Sequence, residues 1–287
     1  MKYIDVFPGS AKLVEGRMPS SSLLLIGPSG IGKTIFAKQF LYIGLINGEN
    51  CIYVSTDESP ERIEASMKGF GFNIEVYKRS NLFRILDCYS WKIGGASSSN
   101  YYVNNPADLA AVSKAIDNAR QGLTNTRLVM DSITGFMSIC SHNLTVFSKF
   151  LQVIVGKTRQ TNSNAIFIAT PEAHDLVFIS YLREIFDGTI EMKMETSKDE
   201  SSKEIRRLLR LFSLKGAKHK TQWTTFEIYD NGIKLRNENQ PRCEMCSALI
   251  EWEPHEELIK GKKHFFDKPE CASTYKKLKG IYGETFE

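Results

Sequence analysis

The chain has 287 residues, 42% of them apolar and 24% charged, with a formal net charge of +4. That length suits one large α/β domain with a small appendage, or two modest domains, of ordinary globular composition. The opening "MKYIDVFPGSAKL" lacks a signal-peptide core and no apolar run approaches the roughly 20 residues of a membrane span, so the chain reads as cytoplasmic, and its small net charge is no argument for nucleic acid.

In chain order, apolar strand patterns occur at "SLLLIG", "NCIYVST", "FRILDCYS", "TRLVMDS", "NAIFIAT" and "GTIEMKM". Helical patterns lie between them: "KTIFAKQFLYIGLI", "SPERIEASMKGFG", "PADLAAVSKAIDNARQ" and "LTVFSKFLQVIVGKTRQ". This alternation predicts an α/β fold, a mostly parallel sheet flanked by helices. "RRLLRLFSLKG" and "QWTTFEIYDNGIKL" then predict antiparallel strands closing one sheet edge. Residues 94–106 and 196–204 read as loops, the first offering a surface for a partner or substrate. Composition shifts near 236–241, which divides the chain into a domain at 1–238 and a small module at 239–287.

The chemistry begins at "GPSGIGKT", placed between a strand and a helix. Gly27, Gly32, Lys33 and Thr34 satisfy G-x-x-x-x-G-K-[ST], and Ser29, Gly30, Ile31 and Ile35 complete the loop and the first helical turn. Glycines let backbone N–H groups turn toward phosphates, at the positive end of the helix that follows. Lys33 is placed to reach the β and γ phosphates, and the Thr34 hydroxyl to hold Mg²⁺. Asp131 ends an apolar strand and reads as the second metal-site residue, with a helix cap as the plain alternative. Asp57 and Glu58 end the strand expected beside the P-loop strand, where a carboxylate can orient and deprotonate water. The plain alternative is an acidic capping turn, since Ser59 and Pro60 look like an N-cap and a first helical residue. No N/T-K-x-D stretch for reading guanine occurs, so adenine is the expected base.

"GPSGIGKT", "YVSTDESPERIEASMKGFGFNIE", "LVMDSITGF", "EIFDGTIEM" and "SLKGAKHKTQWTTFEIYDNGIKL", in this order, resemble the KaiC-like branch of the RecA ATPase superfamily over residues 8–236. The resemblance implies that the first acidic residue of the turn, here Asp57, is the catalytic base. Family members carry glutamate there, and aspartate is one methylene shorter, which leaves Glu58 as the alternative. It also implies a γ-phosphate sensor at Thr170, for which a simple strand-end threonine is the alternative. Members carry a Lys and an Arg that reach the neighbouring subunit's nucleotide; Ser213 and Lys215 stand at those places here, with His219 retained. The expected function is slow ATP hydrolysis at the subunit interfaces of a homo-oligomeric ring, with a hexamer as the expected size, regulating an assembly or signalling protein partner. One alternative is a recombinase-like DNA-binding ATPase, but 94–106 offers Tyr101 and Tyr102 without a Lys or Arg. The other is a nucleotide-gated scaffold without useful hydrolysis.

Cys51, Cys88 and Cys140 sit singly in or beside apolar runs and read as buried reduced thiols. Cys243, Cys246 and Cys271 cluster near the end, where a cytosolic context suggests metal. "CEMC" places two thiolates on a tight turn, two corners of a tetrahedron around Zn²⁺. Cys271 opens the pattern "CASTYKKL", whose helical N-terminus is expected to lower the thiol pKa. The tail resembles small treble-clef-like zinc fingers, in which a further Cys stands where Asp267 stands here. His264 is the expected fourth ligand, ahead of Asp267 and of His255. The alternative is a metal-free tail packed by Trp252, Phe265 and Phe266, although some 45 residues build a poor core without a staple. Such a finger is expected to dock a partner or neighbouring subunit; its mixed Lys and Glu surface does not favour nucleic acid.

Overall fold

The computed structural model describes residues 6–140, 144–196, 205–236, 243–246, 248, 250, 254–259 and 261–282. The chain forms two compact units, Met1–Leu235 and Arg236–Glu287.

The larger unit is organised by a ten-stranded sheet. Its strands are β1 (Ser22–Ile26), β2 (Asn50–Ser55), β3 (Phe83–Asp87), β4 (Tyr101–Tyr102), β5 (Thr126–Asp131), β6 (Asn164–Ala169), β7 (Gly188–Thr196), β8 (Ile205–Leu214), β9 (Thr224–Tyr229) and β10 (Gly232–Leu235). They lie in the order β10-β9-β8-β7-β1-β6-β5-β2-β3-β4. All pairs from β7 through β1 to β4 are parallel, and β7–β8, β8–β9 and β9–β10 are antiparallel. Expected strands and helices form at their predicted places. One expectation is corrected: β2 is not beside β1, because β6 and β5 stand between them.

The helices of this unit are α1 (Ser10–Leu13), α2 (Lys33–Ile46), α3 (Pro60–Gly69), α4 (Glu75–Arg79), α5 (Leu109–Arg120), α6 (Ile133–Ile139), α7 (Leu144–Gln160) and α8 (Leu176–Ile185). Both sheet faces are covered, which is why the central strands are apolar throughout instead of alternating with polar residues. On one face Leu23, Leu25, Tyr53, Val129 and Ile166 pack against Phe36 and Phe40 of α2 and Ile63 and Met67 of α3. On the other, Leu24, Ile52, Val54, Leu128 and Phe167 pack against α5, α6, α7 and α8 through Ile116, Phe136, Leu151 and Leu182. Ser59 caps α3 by accepting from the Arg62 N–H, with Pro60 in the first turn.

Arg127 interrupts the apolar face of β5 and is 2% exposed. Its guanidinium meets Glu49 at 2.6 and 2.9 Å and donates to the carbonyls of Phe40 (2.9 Å) and Val6. This fork fastens the N-terminal segment and α2 to β5. Gly44 makes room for it, since a Cβ there would lie 2.4 Å from Arg127 Cδ.

The Gly/Ser/Asn-rich stretch is not wholly a loop. Tyr101–Tyr102 pairs with Leu86 and Asp87 as the edge strand β4. Ser97 Oγ donates to Asp87 Oδ2 and Ser99 Oγ to the Ile85 carbonyl, so small hydroxyls tie the chain along β3. Residues 197–204 lie outside the described residues.

The smaller unit holds a hairpin, β11 (His255–Ile259) and β12 (Lys262–Phe266), followed by helix α9 (Pro269–Tyr282). Cys243, Ile250, Phe266, Cys271 and Ala272 form its core, with Phe265 partly buried against them. Trp252 lies outside the described residues. All six cysteines are free thiols; Cys51 and Cys88 are buried, and Cys140, contrary to expectation, is only partly so. Burial pushes all three of these thiols above their ordinary range.

Candidate nucleotide and metal sites

The parallel strands β1, β6, β5 and β2 end on one edge of the sheet, which is where open α/β sheets place ligands. After β1 the chain turns through Gly30 (φ 76°) and Gly32 (φ 115°), left-handed conformations that a side chain would strain. Ser29, Gly30, Gly32, Lys33, Thr34, Ile35, Asp57, Asp131, Ser132, Ile168 and Thr170 line a cavity of about 340 Å³. Gly27 and Ile31 support it from beneath: a Cβ on Gly27 would lie 2.7 Å from the Met192 carbonyl, and Ile31 is fully buried. Lys33 Nζ donates to the carbonyls of Gly27 (2.5 Å) and Pro28 (2.9 Å). Burial pushes its ammonium below the usual lysine range, opposed by the carboxylates of Glu172 and Asp131. Glu172, at the exposed turn after β6, carried no sequence signal.

Asp131 is 7% exposed. Its Oδ2 accepts from Thr34 Oγ1 at 2.9 Å and from Tyr53 OH at 2.7 Å. Burial pushes its carboxyl up, the Tyr53 and Thr34 hydroxyls pull it back, and the nearby Asp57 adds to the rise. Tyr53 is pushed far up, first by burial and then by Asp131, so it stays a donor. The Thr34 hydroxyl and Asp131 carboxylate are thus an adjacent pair of hard oxygen donors, which fits Mg²⁺. Tyr53 was legible only as an apolar strand residue.

The two acidic residues of the turn go different ways. Asp57 lines the cavity, and its Oδ2 accepts from Ser132 Oγ at 2.9 Å. Glu58 turns toward α2 and α3, where its Oε2 lies 2.6 Å from Nζ of the fully buried Lys38, itself bonded to Ser66 Oγ at 3.0 Å. Ser132 caps α6 by accepting from the Gly135 N–H at 2.9 Å. A Cβ on Gly135 would lie 2.1 Å from Thr56 Oγ1 and 2.9 Å from Asp57 Oδ1. Ser132 and Gly135 stand inside a motif quoted from the sequence, but nothing in their spacing marked them as the clamp on Asp57.

Thr170 reaches the cavity from the end of β6, its N–H donating to Thr134 Oγ1 at 3.0 Å. Lys215 does not line the cavity. Its Nζ donates to the carbonyls of Glu184 (3.2 Å) and Phe186 (2.9 Å), closing the C-terminal end of α8. Lys218 and Lys220 are exposed, held by backbone bonds to Glu15 and Leu13.

In the smaller unit one donor atom each from Cys243, Cys246, Asp267 and Cys271 lies within 4.8 Å of the others. The expectation of His264 as the fourth member is corrected. Its Nδ1 pairs with Glu244 Oε2 at 2.6 Å and its ring packs on Tyr275, contacts that engage it outside the cysteine cluster. His255 pairs with Glu257 instead. The Cys243 and Cys271 thiols interact with the Asp267 carboxylate, whose Oδ1 is buried with no hydrogen-bond donor of its own among the described residues. The expected lowering of Cys271 is also corrected. The Asp267 carboxylate, then burial and the other two cysteines, push its thiol up to about 12, outweighing the helix N-terminus. Burial likewise raises Cys243, but backbone donors at Asp267, Cys246 and Met245 bring it below its ordinary value.

A P-loop opening onto a parallel sheet edge, faced by a buried strand-end aspartate, defines a RecA-like P-loop ATPase fold. Residues 7–240 match the family model for the KaiC ATPase, and the chain belongs to that family. It is 28% identical over 232 residues to a UPF0273 protein of Methanopyrus kandleri, covering 79% of this chain and 89% of that one. A UPF0273 protein of Saccharolobus solfataricus is 26% identical over 268 residues, covering 92% and 93%. Among solved structures, a KaiC-like protein of Pyrococcus horikoshii superposes with a TM-score of 0.63 at 21% identity, over 83% of this chain and 99% of that one, a likeness of fold. Among the described residues no helix is long and apolar enough to cross a membrane.

Gly135→Ala should displace Asp57 without touching the P-loop. Turnover of ATP is expected to fall by at least about tenfold, since small misplacements at a reacting centre are costly, with ATP affinity held within about threefold. Steady-state hydrolysis beside equilibrium nucleotide binding checks this.

Proposed function

We propose that this chain binds Mg·ATP in the P-loop cavity and hydrolyses it slowly, with Asp57 as general base. The observation that carries the reading is the divergence of the two acidic residues: Asp57 faces Lys33, Thr34 and Asp131 across the cavity, while Glu58 is engaged by a buried lysine. Asp57 takes a proton from water as its oxygen attacks the γ-phosphorus, and the bond to the β-phosphate oxygen breaks to leave ADP. Lys33 turns from its loop carbonyls to the phosphates, and Thr170 contacts the γ-phosphate. Mg²⁺, held by Thr34 and Asp131, would neutralise charge on the β and γ oxygens. Asp57→Asn is expected to lower kcat about a hundredfold, the usual order for a general base. Glu58→Gln should leave kcat within a few-fold and instead lower the melting temperature, because it strands the Lys38 charge. The opposite pattern would reassign the base to Glu58.

The active form is read as a homo-oligomeric ring that regulates a protein partner. Among the described residues that line the P-loop cavity Lys33 is the one cation, and Lys215, Lys218 and Lys220 are exposed outside that lining. Lys215 would have to exchange its α8 carbonyls for a neighbour's phosphates. Specific activity should therefore fall on dilution; activity that stays flat down to a demonstrated monomer rules the shared site out.

Cys243, Cys246, Cys271 and Asp267 are read as a Zn²⁺ site, three soft sulfur donors with one carboxylate oxygen. The metal would staple a unit whose core is a handful of side chains. Elemental analysis should find about one zinc per chain, lost in Cys243→Ser and retained in His264→Ala. Loss of zinc in His264→Ala would restore histidine as the fourth ligand.

A further inference from the structure

Lys92 was not singled out by any motif, and it reaches Asp57 from outside the cavity. It lies in the 3-10 turn Ser90–Ile93 that follows β3. Asp87, 2% exposed, fixes that turn: its Oδ1 accepts from the N–H groups of Tyr89 (2.8 Å) and Ser90 (3.0 Å), its Oδ2 from the hydroxyls of Ser90 and Ser97 (both 2.6 Å). From this support Lys92 Nζ donates to the Thr56 carbonyl at 2.7 Å and lies 3.6 Å from Asp57 Oδ1. The other oxygen, Oδ2, is taken by Ser132. The two carboxylate oxygens are therefore held by different elements, the β3 turn and the cap of α6.

A half-exposed ion pair at that separation contributes little to stability. Its effect is on orientation. Two contacts leave lone-pair sites on the carboxylate for a water, since an ionised carboxylate accepts about four hydrogen bonds. An aspartate has less reach than a glutamate, so the direction of its carboxylate decides whether a water can be engaged. The bond to the Thr56 carbonyl keeps the ammonium in place whatever Asp57 does, which suits a guide more than a partner.

We propose that Lys92 is a positioning residue for hydrolysis, a cation supplied in cis that orients the Asp57 carboxylate from the side opposite Ser132. The proposal rests on the assignment of Asp57 as base. It is tested by steady-state ATP hydrolysis, equilibrium binding of a fluorescent ATP analogue and thermal unfolding of Lys92→Met, Lys92→Gln, Lys92→Arg, Asp57→Asn and the double variant Lys92→Met/Asp57→Asn. Lys92→Met and Lys92→Gln are expected to lower kcat about tenfold with KM and analogue affinity within about twofold, and Lys92→Arg to recover most of the loss, as misorientation of a reacting group predicts. In the Asp57→Asn background Lys92→Met should cost nothing further. Full kcat in both Lys92→Met and Lys92→Gln beside an inactive Asp57→Asn overturns the role of Lys92 and leaves the base standing. A loss carried by KM and binding overturns it in favour of a phosphate contact. Full turnover in Asp57→Asn removes the base assignment itself, and the role of Lys92 with it. Lys92→Gln keeps a donor for the Thr56 carbonyl, so it reads the loss of charge even if Lys92→Met fails to fold.

Discussion

The buried carboxylate of Asp131 is the contact on which the nucleotide site depends. A charge at 7% exposure is costly unless it is satisfied, and Thr34 and Tyr53 supply the donors. Those two residues stand on α2 and β2, so one carboxylate holds the first turn of the P-loop helix against two strands of the sheet. The Thr56 N–H donates to the Asp131 carbonyl at 2.8 Å, which brings the tip of β2, and Asp57 with it, into line with β5. The Thr34–Asp131 oxygen pair and the position of Asp57 thus share one anchor.

The turn after β2 divides its two charges by partner. Lys38, fully buried on α2, needs a counter-charge and takes Glu58, with the Tyr53 ring 6.0 Å from its ammonium. Once Glu58 serves the interior, Asp57 is the one left facing the cavity. The same economy applies to Arg127, whose fork joins Glu49 to the carbonyls of Phe40 and Val6. These two buried cations tie α2 to its neighbours, Lys38 to the turn after β2 and Arg127 to β5.

The smaller unit poses the opposite problem, a shortage of core. Cys243, Ile250, Phe266, Cys271 and Ala272 are few for a hairpin and a helix, and two of them are thiols that converge with Cys246 and Asp267. The hydrogen bond to the Asp267 carboxylate, with burial and the other two cysteines, favours the protonated Cys271 thiol and pushes it up to about 12. A bound cation would take the place of the thiol protons and cross-link the cluster.

Strand–helix order, the antiparallel closing edge and the family were legible in the sequence because each rests on local pattern: apolar runs of strand length, 3.6-residue spacing, and a glycine loop whose conformation few other residues tolerate. Membership in the KaiC family came from motifs that are short and contiguous. Strand adjacency was not legible, since β2 follows β1 in the chain but sits beyond β6 and β5, and only long-range pairing decides that. Nor was it legible which of Asp57 and Glu58 faces the cavity, which turns on a lysine twenty positions before Glu58 in the chain. His264 was the expected fourth metal partner by residue type, yet it pairs with Glu244, and Asp267 is the residue that lies among the cysteines. Side-chain chemistry could be read from the one-dimensional order; which side chains face each other was decided by burial and pairing between residues distant in it.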